Sequence, residues 1–161
     1  MIQRVQSLYL LGVMTVGLLA FFFNPSYAIF KDDKNDKKVT LGYTKTTTYQ
    51  LSKADDPGVG IAKFINYLFL LTISLGSGVA IFLYKNTQLQ KKVCIYLSLL
   101  SIIFSVVLYL DFAALKRQLA DASAYPGVTV ILPIAFMICT AVAWNRIRKD
   151  ENLLKSMDRL R

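Results

Sequence analysis

Four stretches of this chain contain no Asp, Glu, Lys or Arg, and each is about as long as a lipid bilayer is thick. They cover residues 5–30, with an apolar heart at 8–23; 64–84; 93–110; and 122–145, with a heart at 128–144. A helix rises 1.5 Å per residue, so about 20 apolar residues cross a ~30 Å hydrocarbon core. Each stretch is apolar all round, which suits burial in lipid rather than one wet face. Isolated strands would leave backbone groups unpaired there. The expected fold is an all-α membrane protein, a bundle of four transmembrane helices with spans at about 5–23, 64–84, 93–110 and 128–145. At 161 residues the chain reads as one membrane domain covering 1–161. Composition agrees, with 55% hydrophobic residues and a mean hydropathy of +0.45.

The net charge of +9 comes from nineteen Lys and Arg that lie in short blocks between the apolar runs. Blocks of that kind orient a membrane protein, so the expected partner is the lipid bilayer and no nucleic acid is expected. The chain has no histidine, the commonest metal ligand and the usual proton carrier near neutral pH. Cys94 and Cys139 sit inside apolar runs without CxxC spacing and read as small buried hydrophobes. No catalytic, cofactor-binding or metal-binding residues are expected.

Lys and Arg concentrate on the cytoplasmic side of membrane proteins. One side collects Arg4, Lys85, Lys91, Lys92 and six basic residues within 146–161. The other holds seven lysines diluted by five aspartates in the loop 24–63, with Lys116 and Arg117. The expectation is both termini in the cytoplasm. Trp144, Tyr84 and Tyr96 then fall near the inner interface and Tyr67 near the outer one. The first stretch has a rival reading as a cleaved signal peptide, because Ser26 and Ala28 resemble an A-x-A-like site. Retention is favoured by the length of its apolar heart and by Asn24-Pro25 where an anchor would end.

The loop 24–63 begins with a solvated segment at 31–38. The alternation of Val39, Leu41 and Tyr43 and the β-formers at 46–51 then predict one or two short strands, a possible β-hairpin. Asp56-Pro57-Gly58 marks a turn before the second span. The spacing of Leu108, Phe112, Leu115 and Leu119 extends the third helix beyond its span to about 120, as a support for that hairpin. Arg117 and Asp121 can pair on its wet face, and Tyr125-Pro126-Gly127 turns the chain back. The tail 146–161 reads as a cytoplasmic amphipathic or helix-extending segment.

The opening residues 1–11, MIQRVQSLYLL, and the closing residues 147–161, IRKDENLLKSMDRLR, resemble the terminal signatures of a Bacteroidota membrane family, the domain-of-unknown-function family 4293. The likeness covers the whole chain in layout and is specific at the two ends. It implies a small four-span inner-membrane protein without an assigned activity. Gln3, Arg4, Lys149, Asp150, Glu151, Asp158, Arg159 and Arg161 sit in those segments and form a candidate cytoplasmic face, either a topology anchor between the first and fourth helices or a docking surface.

Charges inside a span are costly and usually functional, and these spans carry none; Asp111 closes the third at its outer end. What they carry instead is small residues at packing spacing. These are Thr72, Gly76 and Ala80, the overlapping Ser74 and Gly78, and Ala135, Cys139 and Ala143. Ser98, Ser101 and Ser105 form a hydroxyl seam on the third helix, and Pro133 frees the carbonyl of Thr129 and introduces a bend in the fourth. No G-x-x-x-x-G-K-[ST] loop is present for nucleotide hydrolysis. The leading reading is a non-enzymatic inner-membrane protein acting by association, as an accessory or scaffold subunit or a self-assembling bundle, with a homo-oligomer or other membrane-protein subunits as partners. A small-solute channel or transporter built on the seam is the alternative. A membrane thiol oxidoreductase comes third, disfavoured because its cysteines would lie toward the cytoplasmic half.

Overall fold

The computed structural model describes residues 3–32, 37–50, 59–119 and 122–158. Four long helices account for most of it: α1 (Gln3–Phe23), α2 (Phe64–Phe82), α3 (Thr87–Gln118) and α4 (Leu132–Asp158). Four windows that largely coincide with them are long and apolar enough to cross a membrane: Gln6–Phe23, Phe64–Phe82, Thr87–Arg117 and Val128–Leu153. The chain runs up and down, and α1 packs on α2, α2 on α3, α3 on α4 and α4 back on α1, so the four close into a ring.

Helix ends follow local chemistry. Asn24 closes α1 in a left-handed conformation, φ 44°, with its N–H bonded to the carbonyl of Ala20 at 3.1 Å. A short 3-10 turn, Leu83–Lys85, links α2 to α3, and the Asn86 side chain caps α3 by accepting from Leu89 N–H. At 32 residues α3 is about 48 Å long, well beyond the ~30 Å of a hydrocarbon core. A second 3-10 turn, Val128–Ile131, leads into α4. Pro133 therefore lies in the first turn of α4, where its missing N–H costs nothing, and is not the source of a mid-helix bend.

An antiparallel five-stranded sheet caps one end of the bundle, so the all-α expectation omits a β layer. Its strands are β1 (Ser26–Asp32), β2 (Lys37–Gly42), β3 (Lys45–Gln50), β4 (Val59–Ala62) and β5 (Ser123–Pro126), in the order β4-β3-β2-β1-β5. The hairpin expected from Val39 and Leu41 is there as β2 and β3, with Thr40 opposite Thr47. Two strands go beyond it. Once Asn24-Pro25 has ended α1, Tyr27 to Phe30 is too short for a helix and pairs as β1, so the segment at 31–38 is partly strand rather than a solvated turn. Tyr125 and Pro126, expected in a turn, instead pair with Ile29 and Ala28 as β5. Pro126 suits that place because β5 is an edge strand. Asp56-Pro57-Gly58 and Asp121 lie outside the described residues.

One apolar core runs without a break from the bundle into the sheet. Val13, Leu70, Ile73, Phe104 and Phe136 from the helices join Ala28, Phe30, Val39 and Leu41 from the sheet. The projecting part of α3 supplies the join, with Leu108, Phe112, Leu115 and Leu119 packed under the strands and the Phe112 ring 5.2 Å from Phe30. A smaller cluster of Leu10, Ala80, Cys94, Ala143 and Ile147 fills the opposite end. Because Ile147 is 1% exposed, α4 stays packed on its neighbours beyond Trp144.

Candidate functional site

Polar side chains gather at the two ends of the bundle. At the sheet end the centre is Asp111 of α3. Lys63, the residue before α2, reaches it with Nζ to Oδ2 at 2.8 Å, and Asn66 in the first turn of α2 donates to the same oxygen at 2.8 Å. Lys63 Nζ also donates to the Tyr27 hydroxyl at 3.2 Å, and its backbone N–H bonds the carbonyl of Thr44 at 2.9 Å. The Tyr43 hydroxyl donates to the carbonyl of Thr129, whose own hydroxyl donates to the Ser26 carbonyl at 2.7 Å. Thr129 is four residues before Pro133, so the carbonyl that a proline leaves without its usual helical donor takes this phenol and the Leu132 N–H.

Burial raises the pKa of both phenols above the ordinary range, and at Tyr27 the Asp111 carboxylate adds to it. Both therefore hold their protons and act as hydrogen-bonding groups rather than bases. The cluster ties α2, α3, the turn before α4 and the sheet together. Beside it an apolar cleft of about 280 Å³ opens between α3 and α4, lined by Tyr27, Ser105, Leu108, Phe112, Pro126 and Val130 among others.

At the opposite, basic end the described side chains of the candidate charged face are Lys149, Asp150 and Glu151. Asp150 accepts from Gln6 Nε2 of α1. Glu151, one residue on, pairs with Lys91 of α3 and accepts from Gln88 Nε2 at 2.9 Å. Adjacent residues of α4 thus bind the helices on either side of it. Lys149 is exposed. Gln3 and Arg4 lie in the first turn of α1 and Asp158 is the last residue of α4, with their side chains undescribed; Arg159 and Arg161 lie outside the described residues. Gln6, Gln88, Lys63 and Asn66 carry no sign of these contacts in the sequence, and Lys91 reads there only as an orienting charge, because each finds its partner only in the folded chain.

The small residues have definite neighbours. A Cβ on Gly76 would come 2.8 Å from Leu97 Cδ2 of α3, and one on Gly78 would come 3.1 Å from Met14 Sδ of α1. Ala80 and Ala143 are fully buried, Cys139 is half-buried against the main core, and Ala135 faces outward. Gly17, absent from the small-residue stripes, makes the tightest of these approaches: its Cβ would fall 2.2 Å from Ser74 Oγ. In the hydroxyl seam Ser98 is half-buried, Ser101 is fully buried and donates to Leu97 O at 2.8 Å, and Ser105 donates to Ser101 O at 2.9 Å. Cys94 and Cys139 are free thiols in separate apolar clusters. Among the described residues no three His, Cys, Asp or Glu side chains converge as a metal site.

Fold and polar ends together define a small protein with four helices apolar enough to cross a membrane, tied at one end to an antiparallel sheet and at the other by an inter-helix ion pair and side-chain hydrogen bonds. Residues 2–160 match the family model described as Domain of unknown function (DUF4293), and the chain belongs to that family. A comparison with curated proteins gives no match.

Proposed function

We propose that this chain is a non-enzymatic protein of a bacterial inner membrane that works by association, as an accessory or scaffold subunit or a self-assembling bundle, and that the sheet end is its working surface. The observation that carries this reading is the mounting of the sheet. Its inner face shares a core with the helices and its corner is held by Lys63, Asp111 and Asn66, while Lys38, Lys45 and Tyr49 are exposed on it. Among the described residues no further strand pairs with β4 or β5. A rigid platform with an accessible surface suits recognition of another polypeptide. The excess of Lys and Arg at the basic end favours that end in the cytoplasm and the sheet outside.

The channel reading has less support, because the Ser101 and Ser105 hydroxyls donate to carbonyls of their own helix. Amine-reactive crosslinking in intact membranes, followed by mild-detergent purification and mass spectrometry, tests the proposal. The expected result is a link from Lys38 or Lys45 to a second copy or another membrane polypeptide, in a complex that survives purification. A monomeric particle with intramolecular links alone would contradict it.

A further inference from the structure

A pocket of about 390 Å³ lies at the basic end between the first turns of α3 and the later part of α4, remote from the sheet. Gln88, Lys91, Lys92 and Ile95 line it from α3, at the i, i+3, i+4, i+7 spacing of one helical face. Trp144, Arg148, Glu151 and Asn152 line it from α4, again on one face. Three cations thus meet one carboxylate. Lys91 is engaged with Glu151, and Gln88 donates to the same carboxylate, which fixes the wall. Among the described residues no carboxylate pairs with Lys92 or Arg148, and the Arg148 guanidinium rests 5.6 Å from the Trp144 ring centroid.

The pocket's depth says which anion suits it. Trp144 ends the apolar heart of the fourth stretch and Asn145 to Asp150 is polar apart from Ile147, so the pocket sits where hydrocarbon gives way to water. Its upper wall is cationic. Its lower wall is Ile95 and Trp144, and Ile95 continues along α3 into the exposed apolar side chains of Leu99, Ile102 and Val106. A soluble anion would use the cations and leave that apolar wall unused. A glycerophospholipid uses both, with its phosphate between the basic side chains and an acyl chain along α3. The geometry points to a binding site for the phosphate of an anionic phospholipid, held by Lys92 and Arg148 and floored by Trp144.

Trp144 is the only tryptophan in the chain, so its fluorescence reports on this pocket alone. The full chain is reconstituted in phosphatidylcholine vesicles and titrated with phosphatidylglycerol or phosphatidylcholine brominated on the acyl chain. The brominated phosphatidylglycerol is expected to quench Trp144 with about fivefold higher apparent affinity than the zwitterionic lipid. Lys92→Gln with Arg148→Gln abolishes the preference, whereas Arg146→Gln with Lys149→Gln, at the same end but outside the pocket, keeps it. Equal quenching by the two lipids in the unaltered protein would overturn the site without any variant needing to fold. Equal loss of preference in both double variants would overturn it too, since attraction would then come from the basic end as a whole. Inorganic phosphate added at millimolar concentration leaves the preference unchanged if the ligand is lipid; displacement by phosphate would overturn the lipid assignment.

Discussion

At the residue scale, Asn24 joins helix to sheet. Its left-handed backbone ends α1, while its side chain accepts from Thr44 N–H at 2.8 Å and donates to the Lys45 carbonyl at 3.4 Å, pinning the β2–β3 connection. Gly42 makes room for it, because a Cβ there would fall 2.4 Å from Asn24 Oδ1. Gly42→Ala is therefore expected to lower stability in detergent by about 2 kcal/mol, and Asn24→Ala by a similar amount through the lost bonds. Thermal unfolding followed by circular dichroism measures both. Tyr43 makes a second residue-scale prediction. In the unfolded chain a phenol loses its proton near its ordinary value of 10.0, while burial holds Tyr27 and Tyr43 protonated above it. The folded chain then binds more protons than the unfolded one, so stability is complete below that pH and falls as pH rises further. Tyr43→Phe should cost about 1 kcal/mol at neutral pH, through the lost bond to Thr129, and make the alkaline fall shallower. A fall as steep as in the unaltered protein would show that Tyr43 is not the buried acid described.

At the element scale the helices were legible because length and apolarity are local properties, and the strand pattern at Val39 and Leu41 was legible for the same reason. β1 was hidden because Tyr27 to Phe30 lies within the first uncharged stretch, 5–30, and reads as the tail of its apolar heart. β5 was hidden because Ser123–Pro126 has no pattern of its own; it becomes a strand only when β1 is beside it. The Lys63–Asp111 pair joins residues 48 apart, and neither position carries a local sign of the other. Asp150 and Glu151 could be named from their terminal segment, whereas Gln6 and Lys91 become their partners only once the ring of helices closes. With side chains 19% and 33% exposed, Lys63 and Asp111 should couple by about 1 kcal/mol in a double-mutant cycle of Lys63→Met and Asp111→Asn. Additive losses would mean that the pair does not help to hold the sheet. At the α1–α2 contact Gly17→Ala should cost about 1–3 kcal/mol, because Ser74 must give up its bond to Leu70 O to clear the new methyl, and adding Ser74→Ala should recover part of that loss.

At the scale of the whole molecule, connectivity separates two unlike ends. The C-terminal end of α1, the start of α2, the end of α3 and the start of α4 all meet at the sheet. The other end gathers the start of α1, the α2–α3 connection and the charged part of α4, where Asp150 and Glu151 bind helices on both sides. Spans without charged interiors put the chemistry of recognition at these ends, with a polypeptide proposed for the sheet and an anionic lipid for the basic pocket. Both proposals require the ends to lie on opposite sides of one bilayer. Cysteine labelling in intact cells tests this most directly, using Lys45→Cys at the sheet and Lys149→Cys on α4 in a Cys94→Ser, Cys139→Ser background. A membrane-impermeant maleimide should label Lys45→Cys without permeabilisation and Lys149→Cys only after it. Labelling of both positions from the same side, or the reverse pattern, would contradict the account.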